Sequence, residues 1–277
     1  MRFFKRLLNF YINSSVHVAL AVFSLVWITL IEFDIAYDNN ILYFVFYASI
    51  TGYNFVKYFS LAKFHHRRLA IWLKWIQVLS FVCFCLTCYY AFQLHTQTLS
   101  WIAAFGLLTF FYAMPFLPKR SSFDTHQNLR SIGGIKVYII ALSWMGVTVF
   151  LPLINNTYAM DADVILVASQ RFLFVLVLML PFEIRDLQYD SLKLGTIPQK
   201  IGLKKTKLLG VSILVLMLVL EFFKDVTSVR QIVIFLIVLV ITFVFLVFSE
   251  KHQKHYYSAF WVEGIPILWL VLLLLFI

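Results

Sequence analysis

The sequence predicts an all-α, polytopic membrane protein, and three observations lead there. Of its 277 residues, 62% are hydrophobic and 13% charged, with a mean hydropathy of +0.88. A soluble domain of this length carries about 25% charged residues. The apolar residues also gather in runs long enough for a helix to cross a bilayer, about 20 residues each. These runs are continuous rather than alternating, so the spanning elements are helices and not barrel strands.

Nine spans are expected, over residues 13–32, 39–60, 70–92, 97–117, 134–154, 163–183, 207–223, 229–249 and 258–277. The first follows Arg2, Lys5 and Arg6. It is too long for the apolar core of a signal peptide and lacks a small-residue cleavage site, so it is expected to remain as a span. The longest polar connections, 118–133 and 184–206, are too short to bury a core of their own. Residues 1–277 therefore read as a single membrane domain.

Orientation follows from the basic residues, because Lys and Arg stay on the cytoplasmic side. With the N-terminus inside, the inside segments hold 20 of the 23 basic residues and the outside segments only Lys224 and Arg230, while Arg171 lies within a span. The outside connections carry Glu32, Asp34, Asp38, Asp161, Asp163, Glu221 and Asp225 instead. An even number of spans breaks this alternation. The expectation is thus a multi-pass cell-membrane protein with a cytoplasmic N-terminus and an exterior C-terminus. The net charge of +10 is accounted for by this topology and by anionic lipid headgroups, and calls for no nucleic-acid partner.

The chemically informative segment leaves the sixth span on the basic side: Pro181-Phe182-Glu183-Ile184-Arg185-Asp186-Leu187-Gln188-Tyr189-Asp190. Glu183, Asp186 and Asp190 stand at i, i+3 and i+7, which stacks them on one helix face. Converging carboxylates repel one another unless a cation joins them. A hard divalent ion such as Mg²⁺ takes oxygen ligands and shares them with substrate phosphates. The spacing alone fits equally a solvated helix end whose acids pair with Lys193, Lys200 and Lys204.

The continuation favours the first of these readings. The acids are followed by Gly195-Thr196-Ile197-Pro198-Gln199-Lys200-Ile201-Gly202. Together the two segments resemble the second aspartate-rich motif of the UbiA-type prenyltransferase superfamily, in which acids at that spacing precede a Gly, a Thr-Leu-Pro-like turn and a Leu-Gly. A second likeness is Phe111-Tyr112-Ala113-Met114-Pro115-Phe116-Leu117-Pro118-Lys119-Arg120, which resembles the exit of that family's fourth helix. The resemblance implies nine transmembrane helices and a cytoplasmic site. There, Mg²⁺ held between two aspartate-rich motifs assists transfer of an isoprenyl group from its diphosphate to an aromatic or lipid acceptor. It implies that Asp186 and Asp190 act in catalysis and, with Glu183, hold a single Mg²⁺. Asn54, Lys57, Lys119, Arg120 and Arg185 would meet the diphosphate.

The first aspartate-rich motif departs from the family pattern. An Asn-Asp-x-x-Asp sequence belongs at the end of the second span, where this chain has Tyr53-Asn54-Phe55-Val56-Lys57-Tyr58. Asn54 fits, but Phe55 and Tyr58 replace the acids, and Ala62 stands where a third acid often follows. Lys57 enters the same helix face. An ammonium meets a phosphate as a point charge without a metal; the alternative for Lys57 is a lysine that snorkels to the interface.

Breaking an allylic C–O bond leaves an anionic diphosphate and a cationic prenyl fragment. The anion needs positive charge, and Lys119, Arg120, Arg130, Lys136 and Arg185 cluster at the membrane face of the acids. The cation needs a dry cavity with aromatic faces, which 30 Phe and 14 Tyr are available to line.

Other polar residues read more plainly. Cys83, Cys85 and Cys88 lie in the third span as small packing residues. His65, His66, His252 and His255 sit at the interface without metal-site spacing. Glu263 and the Gln170–Arg171 pair lie within spans, where polar groups usually face a bundle interior or cavity; for Arg171, snorkelling outward is the alternative. Gly133 and Gly134 are placed to let the fifth span start close to a neighbour.

Three functions remain open on the sequence: a UbiA-like prenyltransferase, a relative that binds a polyprenyl lipid or a partner protein without catalysis, and an unrelated transporter. A transporter is favoured by inverted repeats or broken spans in matching halves, and the sequence displays neither.

Overall fold

A computed structural model describes residues 2–62, 71–113, 134–188, 195–225, 228–254 and 256–276. Lys119, Arg120, Asp190 and the end of the second likeness lie outside the described residues.

The described residues are helical almost throughout. In order they form α1 (Arg2–Asn13), α2 (Val16–Glu32), α3 (Asn39–Ala62), α4 (Ile71–Ala91), α5 (Thr96–Ala113), α6 (Lys136–Met145), α7 (Leu151–Asn155), α8 (Ala162–Asp186), α9 (Ile197–Glu221), α10 (Val229–Val247) and α11 (Ile265–Phe276). A π-helical turn, Gly146–Phe150, joins α6 to α7, and another, Tyr257–Val262, leads into α11.

Both π turns have a cause in the sequence. Proline has no N–H to donate, and its ring crowds the carbonyl four residues earlier. Pro152 and Pro266 place that carbonyl at Thr148 and Val262, each inside a π turn. The widened turn relieves the clash while the helix continues.

Among the described residues, five helical segments are long and apolar enough to cross a membrane: Trp72–Ala91, Lys136–Asn155, Ala162–Asp186, Val229–Val247 and Tyr257–Phe276. The pair Phe4–Asn13 and Val16–Glu32, bent by 59°, reaches the same length and apolarity only when its two helices are counted together. The chain is thus a multi-pass helical membrane protein. Helices α3, α5 and α9 occupy three more of the expected positions. Asn39, Asn54 and Lys57 interrupt the apolar residues of α3, and four lysines between 200 and 207 those of α9. The expected seventh span begins too late, since α9 starts at Ile197 and kinks at Gly202, whose φ of 79° only glycine adopts freely.

Helices α2 and α8 form the middle of the bundle. Helix α2 packs on α3 and α11, α8 packs on α6 and α9, and α10 lies between α9 and α11. The largest core cluster unites Leu25 and Ile28 of α2, Phe174 and Val177 of α8, Met217 of α9, Val238 of α10 and Trp269 of α11. The outer faces are apolar as well. Trp75, Phe81 and Phe84 of α4 and Val233, Val240 and Phe243 of α10 are exposed, as expected of surfaces solvated by lipid.

Candidate functional site

The site is built at the end of the bundle where α1 meets α2 and α8 ends. Its first wall is α3. Asn54 is buried, and its Nδ2 donates to Ser14 O at 3.0 Å and to Ser80 Oγ at 2.8 Å, while its Oδ1 accepts from Ser15 Oγ at 2.8 Å. Both amide protons are therefore engaged within the protein, and Asn54 ties α3 to the α1–α2 junction and to α4. Lys57, one turn further on, is exposed, and its Nζ donates to Ser15 Oγ at 2.9 Å. The shared-face expectation for Asn54 and Lys57 is thus met through Ser15.

The opposite wall is the end of α8. Arg185 donates from Nε to Asp186 Oδ1 at 2.8 Å and from Nη1 to Ser258 Oγ at 3.1 Å, and its guanidinium lies 5.4 Å from the Phe182 ring centroid. The other carboxylate oxygen of Asp186 faces Lys136 Nζ at 3.9 Å. Both pairs are about a quarter exposed, so they position side chains more than they stabilise the fold.

Glu183 is used differently. It is 2% exposed, and its Oε2 accepts the backbone N–H of Ile197 at 3.1 Å. Helix N-termini leave such N–H groups without helical partners and attract negative charge. The carboxylate therefore fastens the end of α8 to the start of α9. The Thr196 N–H, donated to Gln199 Oε1 at 3.1 Å, completes that helix start. Gly134 closes the corner: a side chain there would meet Gly195 O at 3.1 Å and Lys200 Nζ at 3.2 Å. The close approach expected at this glycine is to the loop before α9.

Between the two walls stands Glu263, just after the second π turn. It lies within electrostatic reach of both Lys57 and Arg185. The π turn is held against α2 and α1, since His17 bonds Phe260 O at 2.8 Å and Tyr11 Oη at 2.9 Å, and stacks on the Phe260 ring. The sequence marks Glu263 only as a charge within a span. Its partners come from α3 and α8, so spacing along the chain gives no access to them.

The residues present do not fit a two-ion Mg²⁺ cradle. The first-motif positions bring an amide, an ammonium and aromatic rings. Glu183 caps α9, and among the described residues no three His, Cys, Asp or Glu side chains are placed to hold a metal ion. What the arrangement offers is positive charge: Lys57, Arg185 and Lys136 around Asp186 and Glu263.

A second polar region lies at the other end of the bundle. Arg171 is 2% exposed and turns inward, donating to Leu25 O, Thr29 Oγ1 and Glu32 Oε2 at 3.2, 3.2 and 3.4 Å, with its guanidinium 5.3 Å from the Trp269 ring centroid. Gln170 donates to Met217 O at 3.0 Å and to Glu221 Oε2 at 2.8 Å; Glu221 also pairs with Lys224 at 2.8 Å. Above them opens a cavity of about 370 Å³ lined by Glu32, Tyr158, Asp161, Glu221, Phe235 and Trp269, among others.

The fold has a solved counterpart. The chain is similar to a structure described as digeranylgeranylglyceryl phosphate synthase in membranes, with a TM-score of 0.55 and 14% identity over 98% of this chain and 96% of that one. At that identity the likeness establishes the fold, that of a helical membrane bundle matched from end to end. No family model matches the sequence, and no curated protein sequence matches it.

Proposed function

We propose that this protein is a UbiA-like membrane prenyltransferase that moves an isoprenyl group from a prenyl diphosphate to an aromatic or lipid acceptor. One observation carries the reading. The fold matches that of a structure described as digeranylgeranylglyceryl phosphate synthase from end to end, and the helices bearing the two motif positions each carry a cation, Lys57 held by Ser15 and Arg185 held by Asp186.

The reaction breaks the allylic C–O bond, forms a bond from the prenyl carbon to the acceptor, and releases diphosphate and the acceptor's proton. Lys57, Arg185 and Lys136, together with Lys119 and Arg120 from the connection after α5, meet the charge that develops on the leaving oxygen. Asp186 holds Arg185 and Lys136 in place. Asn54 acts through Ser15 by fixing the position of Lys57. Asp190, four residues on in the sequence, is proposed to act with Asp186. In the family that the sequence resembles, Mg²⁺ supplies part of the positive charge. Here the chain's own cations take the first-motif share, so no step is assigned to a second ion.

A second reading, a polyprenyl-lipid binder that has abandoned the reaction, is favoured by the loss of the first-motif acids and by the capture of Glu183 at α9. The two part on one experiment: purified protein incubated with labelled prenyl diphosphates of graded length and an aromatic acceptor, with and without Mg²⁺. Diphosphate release and a prenylated product are expected. Saturable binding without release establishes the binder, and no binding at any length removes both.

A further inference from the structure

Helix α1 was expected only as a basic flank, and it is a helix of 12 residues with two unlike faces. Phe4, Leu7, Leu8 and Tyr11 fall at i, i+3, i+4 and i+7, and Lys5, Arg6, Asn9 and Asn13 line the other side. It does not continue into the bundle. Ser15, with φ of 63°, breaks the helix, and α1 leaves the line of α2 at 59°. Short polar residues tolerate this left-handed conformation better than branched ones.

The C-terminal half of α1 is fastened to the bundle. Asn9 Oδ1 accepts from Tyr256 Oη at 2.6 Å, and Asn13 O accepts from Tyr58 Oη at 2.9 Å. The N-terminal half points away: Phe4 is 74% and Leu7 55% exposed, with Lys5 and Arg6 exposed beside them. An apolar stripe against a basic one, on a helix turned out of the spanning direction, suits the plane between acyl chains and headgroups. The basic stripe selects for headgroups of negative charge.

We propose that α1 docks on an anionic lipid leaflet and that this docking holds Lys57 in place. The connection is covalent and short. Two residues past α1, Ser15 receives the Lys57 ammonium, while Ser14 O receives Asn54. A shift of α1 therefore moves the acceptor on which Lys57 rests. The second half of the proposal relies on the diphosphate-binding reading above.

The test uses the full chain in lipid nanodiscs, with Cys83, Cys85 and Cys88 replaced by serine and a fluorophore at Leu7→Cys. Quenching by spin-labelled lipid is compared for an anionic and a zwitterionic headgroup. The expected result is stronger quenching by the anionic lipid, lost in Lys5→Gln/Arg6→Gln at about fivefold in lipid preference per charge. Equal quenching by both lipids overturns the docking.

Binding of inorganic diphosphate is measured in the same discs, without the fluorophore. An anionic surface by itself repels this ligand, yet affinity is expected to rise with anionic lipid in wild type and not in Lys5→Gln/Arg6→Gln. Affinity that falls or stays level in wild type overturns the link to Lys57. Absence of diphosphate binding in every disc overturns that link together with the functional reading, while the quenching result still decides the docking by itself.

Discussion

Lys57 rests on Ser15, its ammonium 2.9 Å from a hydroxyl that itself donates to Asn54. This places the charge of α3 at the α1–α2 junction rather than out along the lipid interface. Beside the positions where the family pattern has acids, taken here by Phe55 and Tyr58, this chain thus holds a cation.

Charge removal at Lys57 is therefore expected to weaken diphosphate binding. A charged hydrogen bond contributes about 1.5–3 kcal/mol, so Lys57→Met should lower affinity roughly tenfold or more at low salt. The deficit should shrink as ionic strength rises, because screening already reduces the attraction in wild type. Titrations of diphosphate against both proteins at several salt concentrations check this. Equal affinities throughout mean that Lys57 takes no part in binding.

Glu183 separates a structural carboxylate from a metal ligand. Its Oε2 receives Ile197 N–H, and glutamine also offers an oxygen there. Glu183→Gln should therefore keep the fold and most of any Mg²⁺-dependent activity. Glu183→Ala leaves a buried donor unsatisfied at a cost of about 1–3 kcal/mol and should lower the melting temperature in detergent. If Glu183→Gln instead removes Mg²⁺ dependence at unchanged melting temperature, the carboxylate is a ligand and the cap is secondary.

The contrast between Glu183 and α1 shows what was legible in the sequence. Apolar runs located most of the helices, because lipid on one side and packed helices on the other both demand apolar surface, but not the start of α9, whose first ten residues carry lysines. The acids at 183 and 186 were correctly placed where α8 ends. Their partners were not legible: Ile197 N–H is reached only because α9 folds back, and Lys136 comes from another helix. Helix α1 was missed because its apolar residues recur at helical spacing without forming a run. Glu263 was visible as a charge inside a span, but its meaning depends on two residues 206 and 78 positions away.

The partition of basic residues predicts orientation. Twenty of 23 lie in segments assigned to one side and two in those assigned to the other, so a reporter fused after Ile277 should read as non-cytoplasmic and one before Met1 as cytoplasmic. Reporters that agree at both ends mean an even number of crossings. One of α3, α5 and α9, which are not among the long apolar segments found in the described residues, then does not span.

The last prediction concerns Arg171 and Glu32, which meet at 3.4 Å with side-chain exposures of 2% and 16%. Removing one member of a buried pair costs about 3–5 kcal/mol, because the other charge is left desolvated, whereas removing both is often nearly neutral. The two residues are not equivalent. Arg171 keeps Leu25 O and Thr29 Oγ1 when Glu32 is lost, and Glu32 reaches the polar cavity when Arg171 is lost. Glu32→Gln should therefore be the milder single change and Arg171→Met the harsher, since Arg171→Met also strips the donors from Leu25 O and Thr29. The double variant should be less destabilised than the two single effects added together, with a coupling of about 0.5–3 kcal/mol. Melting temperatures of the four proteins in one detergent give the cycle. Strict additivity shows that Arg171 acts only through Leu25 and Thr29, tying α8 to α2 by hydrogen bonds to which the charge of Glu32 adds nothing.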